Sequence, residues 1–226
     1  MPRPDYFLSP ELADEHGVVR IGGSLSPEWL LHAYRHGIFP WPHGNDPPLL
    51  LWFSPDPRAI FEMDGLHISR SLRRTLRSGT FTVTTDQAFS QVIRACAVVG
   101  DRCEGTWITP EMIAAYELLH REGVTHSVEV WHEGQLAGGV YGVAVGGLFA
   151  AESMFYHVTD ASKVALVHLM GHLRARGYQL FDIQQLTDHT ASLGATEIAR
   201  SQYLKQLKQV VPLPVTWGSE LEFAPW

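Results

Sequence analysis

The sequence is poor in cysteine, has no long apolar run, and carries fewer basic than acidic residues. Cys96 and Cys103 are the only cysteines, too few for a disulfide-stapled scaffold. The N-terminus MPRPDYFLSPELADEHG is polar, with two early prolines and no apolar core of a signal peptide. Together these predict reduced thiols and a cytoplasmic protein. No run of about 18 apolar residues exists, so no membrane-spanning helix is expected. Seventeen Lys and Arg stand against 24 Asp and Glu, a net charge of −7. The molecule as a whole repels polyanions, so a nucleic-acid partner requires a local basic patch.

What is present is an ordinary globular mixture. The chain has 226 residues, 45% of them hydrophobic, enough for a core in one main domain with a smaller companion. Internal repeats and low-complexity tracts are absent, nothing specifies an oligomer, and monomer is the default. Ser26-Pro27-Glu28 predicts a capped helix start, and Gly37 a helix stop. Pro40, Pro42, Pro47, Pro48, Pro55 and Pro57 then crowd one segment with Phe39, Trp41, Trp52 and Phe53. This predicts an irregular but packed region that closes a small N-terminal domain (1–60). Residues 61–226 form the second, larger domain. Helices are expected over 67–78, from Asp86 as cap to about 97, from Thr109-Pro110 to about 121, over 161–176 and over 196–209. Strands are expected over 80–84, 126–131, 135–145, 147–151 and 178–184, with a turn at Gly146-Gly147. The fold class is α+β (mixed α/β).

Several residues invite chemistry. Trp107 and Trp41 each fit either a core tryptophan or a stacking platform for a base. Glu152 interrupts the apolar run 147–155 and needs a partner, either an internal cation or a cationic ligand group. Asp182 and Gln184 lie two apart in a strand-like run, so alternation places both on one face, where they serve one substrate or simply a solvated strand end. Arg70, Arg73, Arg74 and Arg77 share one helix face and form the best phosphate-contact candidate, against a merely solvated face. His168 and His172 are spaced i, i+4, but no third ligand is evident, so no metal is expected.

In order along the chain, YRHGIFPW (34–41), WFSPDPR (52–58), LHISRSLRR (66–74), EGTWIT (104–109), HSVEVW (126–131), GGVYGVAVGGLFAAESMF (138–155), ASKVAL (161–166) and FDIQQLTDHTASLGATEIAR (181–200) resemble the bacterial leucyl/phenylalanyl-tRNA–protein transferase family. The resemblance implies a C-terminal domain like the GCN5-related N-acetyltransferase fold. It implies Leu-tRNA and Phe-tRNA as donors and proteins with N-terminal Arg or Lys as acceptors, their product read by an N-end-rule protease adaptor. No cofactor is required. By the same resemblance Glu152 recognises the acceptor's basic residue, Asp182 and Gln184 are the catalytic pair, and Trp41 and Trp107 lie by the terminal adenosine of the tRNA. Val140, Phe149 and Leu169 would line the aminoacyl side-chain pocket. Val140 stands where methionine is common in the family, and Leu169 where an aromatic is expected. The rival readings are an acyl-CoA-dependent acetyltransferase, whose pyrophosphate motif is missing, and a non-catalytic tRNA-binding module, which leaves the three polar residues without a role.

Overall fold

The computed structural model describes residues 6–44, 48–98 and 106–222. Cys103 lies outside them. A short 3-10 turn at Pro10–Leu12 precedes β1 (Val18–Ile21) and α1 (Pro27–Arg35). Pro27 occupies the first helical position, but Ser26 makes no side-chain cap, contrary to the sequence expectation. Its own backbone N–H is instead bound by Ser24 Oγ at 3.1 Å. Gly37 adopts φ +75°, and its N–H returns to the Tyr34 carbonyl at 3.2 Å, which ends the helix.

The proline-rich region is not irregular throughout. It contains β2 (Phe39–His43) and β3 (Leu49–Phe53), paired antiparallel, with β1 on the far side of β3. β2 tolerates Pro40 and Pro42 because it is an edge strand. Alternate residues of an edge strand turn their N–H away from the neighbour, so the missing donors break no ladder bond.

The main sheet follows: β4 (Arg58–Phe61), α2 (Arg70–Arg77), β5 (Thr82–Thr85), α3 (Phe89–Val98), α4 (Pro110–Arg121), β6 (Thr125–His132), β7 (Gln135–Val145), β8 (Leu148–Tyr156), α5 (Ala161–Arg176), β9 (Leu180–Gln184), α6 (Asp188–Ser192), β10 (Thr196–Ile198) and α7 (Arg200–Val210). Its strand order is β10-β4-β9-β8-β7-β6-β5. Among the described residues only β8 and β9 run parallel, and α5 is the crossover between them. Two sequence expectations change here. Asp86 does not cap α3. At φ +57° its carboxylate instead binds His126 Nδ1 (2.7 Å) and the Ser127 N–H (2.9 Å), tying the end of β5 to β6. Residues 196–198 are a strand rather than helix, because they pair with Arg58, Ala59 and Ile60 of β4.

The central strand β7 shows the layering. Tyr141, Val143 and Val145 face a core shared with the three-stranded sheet, α1, α3 and α4. Val140 and Ala144 face the opposite core, built with α2, α5 and Trp217. Period-two alternation along a strand buried on both faces produces this division.

Candidate active site

The site lies where β8 and β9 part. Their parallel pairing runs through Leu148–Leu180 and Phe149–Phe181 and stops at Ala150–Asp182. Beyond that point both strands are irregular. In β8, Tyr141 pairs with Ser153 and Gly142 with Ala151, which leaves Glu152 as the extra residue of a bulge. In β9, Ala59 pairs with Gln184 and Ile60 with Asp182, so Ile183 is skipped. Bulges re-aim side chains. As a result Ala151, Glu152, Ser153 and Met154 all border one cavity, which strict alternation would forbid.

That cavity encloses about 420 Å³. Phe61, Val140, Met154 and Leu166 supply apolar wall, while Glu152, Gln184, Ser162 and His189 supply polar groups. A second cavity of about 150 Å³ is bounded by Phe39, Pro40, Trp41 and Trp107. The two share Trp107, Glu152, Ile183, Gln184, Gln185 and Thr187. The Glu152–Gln184 pair therefore stands at the junction of an apolar chamber and an aromatic one. Trp41 and Trp107 meet at 6.3 Å between ring centroids with planes 63° apart.

Glu152 Oε1 accepts from the Gln184 amide at 3.0 Å, and Oε2 accepts from the Tyr116 hydroxyl at 3.3 Å. The Tyr116 hydroxyl is also hydrogen-bonded to that of Tyr34. Among the described residues no basic side chain forms a salt bridge with Glu152, so the internal ion pair considered from the sequence is not made. Burial pushes the Glu152 carboxyl up from 4.5 to about 8, with the Asp182 charge adding to the rise. Hydrogen bonds from Tyr34 and Tyr116 and the Arg58 charge pull the other way. Tyr34 and Tyr116 are raised well above 10, first by burial and then by the Glu152 charge, so both remain neutral donors.

Asp182 corrects a sequence expectation. It does not share the cavity face with Gln184. Gln184 has φ +59°, which breaks the alternation, and Asp182 is 1% exposed beneath the cavity floor. There its carboxylate receives the Arg58 guanidinium in two contacts, Nε to Oδ1 at 2.8 Å and Nη2 to Oδ2 at 2.6 Å. Burial opposes the Arg58 charge, but Asp182 and Tyr203 outweigh it and hold the guanidinium pKa above its ordinary value.

The remaining candidates divide. Val140 borders the larger cavity. Phe149 and Leu169 do not; both are fully packed in the core. Phe149 belongs to the part of β8 still paired with Phe181, below the parting of the strands. Leu169 lies one helical turn beyond Leu166, the α5 residue that does reach the wall. Arg70, Arg73, Arg74 and Arg77 are all exposed on α2 around a shallow hollow with Ser78. His168 Nδ1 contacts the Val164 carbonyl, and His172 Nδ1 accepts the Glu222 N–H. Sequence reasoning missed Arg58, Tyr34, Tyr116 and Tyr203. Tyr34 and Arg58 sit inside the matching runs YRHGIFPW and WFSPDPR, but no local signal distinguishes them.

Comparison with known proteins agrees with this chain over most of its length. The leucyl/phenylalanyl-tRNA protein transferase model matches residues 60–208, and the model of that family's N-terminal domain matches 23–56. A leucyl/phenylalanyl-tRNA–protein transferase of Chromohalobacter salexigens is 54% identical over 91% of this chain and 79% of its own length. Its counterpart in Nitrosomonas europaea is 52% identical over 92% and 87%. Likeness to solved structures is weaker. A GCN5-related N-acetyltransferase-like protein from Streptococcus suis gives a TM-score of 0.37 at 14% identity, over 76% of this chain and 65% of that one, a level from which no shared chemistry follows. The matches across both segments show that the chain belongs to the leucyl/phenylalanyl-tRNA–protein transferase family.

Proposed function

We propose that the protein transfers leucine or phenylalanine from aminoacyl-tRNA to the α-amine of proteins that begin with Arg or Lys. The observation that carries this is the contact between Glu152 and Gln184 at the junction of an apolar and an aromatic cavity. The reaction is aminolysis of an ester. The α-amine attacks the carbonyl, the ester C–O bond breaks, and the amine's proton ends on the leaving ribose oxygen. A free α-amine has a pKa of about 7.7–8.0, so a useful fraction is already neutral near neutral pH. Positioning is then the main task, and alignment can supply several kcal/mol of barrier reduction.

In this reading the aromatic cavity takes the terminal adenosine beside Trp41 and Trp107. The apolar cavity takes the leucine or phenylalanine side chain against Val140, Leu166 and Met154. Glu152 receives the acceptor's guanidinium or ammonium. Burial favours the neutral form of its carboxyl in the empty site, and an arriving cation favours the ionised form, with release of the proton. Gln184 is an amide and no base, but it can orient the amine through hydrogen bonds. The α2 arginines meet the tRNA phosphates. The activity belongs in the cytoplasm, where charged tRNA is available, with the product passed to an N-end-rule protease adaptor.

The test is transfer of labelled leucine from Leu-tRNA to peptides beginning with Arg, Ala or Asp, by wild type and Glu152→Gln. Transfer to the Arg peptide alone, weakened in the variant mainly through acceptor KM, is the expected result. Transfer to the Asp peptide would overturn the acceptor assignment. Binding of tRNA without any transfer would leave a binding module instead.

A further inference from the structure

Asp182 has no free lone pair to offer a substrate. A carboxylate accepts about four hydrogen bonds. Oδ1 takes Arg58 Nε at 2.8 Å and the Gln184 backbone N–H at 2.9 Å. Oδ2 takes Arg58 Nη2 at 2.6 Å and the Tyr203 hydroxyl at 2.7 Å. Arg58 is equally committed. Its Nη1 donates to the Gly37 carbonyl at 3.0 Å, and its guanidinium lies 5.0 Å from the Phe39 ring centre and 4.5 Å from that of Tyr203. Gly37 ends α1 and leads directly into β2, the strand that carries Trp41. One buried cation thus joins the aromatic cavity to the floor beneath Gln184.

Building on the transferase reading, we infer that Arg58 is a positioning residue that acts only through Asp182, and that Asp182 acts only through Gln184. Arg58 and Tyr203 hold Asp182 as a fixed anion. Asp182 in turn captures the Gln184 N–H and keeps Gln184 in its left-handed conformation. That conformation, rare for a side chain bearing a Cβ, directs the amide to Glu152. Asp182 therefore exchanges no proton during transfer. A residue that merely filled the core could satisfy the ion pair without this second link. Arginine is required because its planar fork meets both carboxylate oxygens and still has a third nitrogen for Gly37, which lysine cannot match.

Two measurements test this on the full chain. In wild type, Arg58→Lys and Tyr203→Phe, hydrogen exchange of the Gln184 backbone amide is read independently of any activity. We expect its protection to fall by roughly tenfold in both variants, with the β7 amides unchanged. Equal protection in all three proteins would refute the link. In parallel, kcat and KM are measured across pH with Leu-tRNA and an Arg peptide. Tyr203→Phe should lower kcat roughly tenfold by the same factor at every pH, and leave the acceptor KM within about twofold, as expected of a misplaced group. An acid limb that shifts upward in Tyr203→Phe would instead mark Asp182 as a proton acceptor and overturn the inference. Wild-type turnover in the same series reports on the transferase reading, while the exchange data report on Arg58.

Discussion

Replacing Glu152 by Gln should stabilise the protein, and increasingly so as pH rises. Burial pushes the folded carboxyl up to about 8, against an ordinary 4.5. Between those values the folded state holds a proton that the unfolded chain has lost. Folding stability therefore falls as pH rises through this window, by up to about 1.4 kcal/mol per pH unit. The full interval would amount to about 5 kcal/mol. Glu152 keeps a partial opening to the cavity, and water there screens it, so about 2 kcal/mol is the working figure. The glutamine of the variant does not titrate. Its carbonyl can accept from Gln184 and its amide can donate to Tyr116, so the packing survives. Urea unfolding of both proteins at about pH 5 and about pH 8 should show the gap widening by about 2 kcal/mol in favour of the variant. In thermal unfolding the same gap is roughly 4–8 °C for a chain of this size. Stability curves that run parallel across the window would refute a buried, protonated Glu152. The gain accompanies weaker acceptor binding, the usual relation between a strained functional group and stability.

Other expectations follow from the same geometry. Trp41→Ala and Trp107→Ala should each raise the KM for aminoacyl-tRNA by roughly tenfold or more, since base stacking contributes about 1–3 kcal/mol; an unchanged KM would remove the adenosine from the aromatic cavity. Arg73→Ala with Arg74→Ala should flatten the plot of log affinity against log salt by about 0.9 for each phosphate left without its arginine, and a slope equal to wild type would make α2 a solvated helix face. Gly142→Ala should destabilise by about 1–3 kcal/mol in urea unfolding, because the added Cβ would lie 2.3 Å from the Ala150 carbonyl oxygen and 2.6 Å from the Phe149 ring; an unchanged midpoint would show that the β7–β8 packing yields easily.

Much of the fold was legible in local chemistry. Thr109-Pro110 announced α4, whose cap does accept the Met112 N–H. Gly177, at φ +85°, ends α5 as its position in the sequence predicts. The alternation in 126–131 and 135–145 identified β6 and β7. These signals act over a few residues, and neighbours along the chain suffice to produce them. β2 and β10 were not legible: Pro40 and Pro42 hide β2, which is a strand because it pairs with Leu49–Phe53 along one edge, and β10 is a strand only through Arg58–Ile60, far away in sequence.

The site divides in the same way. Sequence alone determined which residue types were out of place: a carboxylate in an apolar run at Glu152, an acid and an amide at 182 and 184, and tryptophans in loops. Tertiary structure decided what each can do. Two bulges, set by pairing between strands, turned Glu152 and Gln184 toward each other and sent Asp182 beneath the floor. Arg58 meets Asp182 across 124 positions of chain, and Tyr116 meets Glu152 across 36. No periodicity encodes such meetings. They arise when burial forces each polar group to find a partner, and only the packed fold determines which partner is within reach.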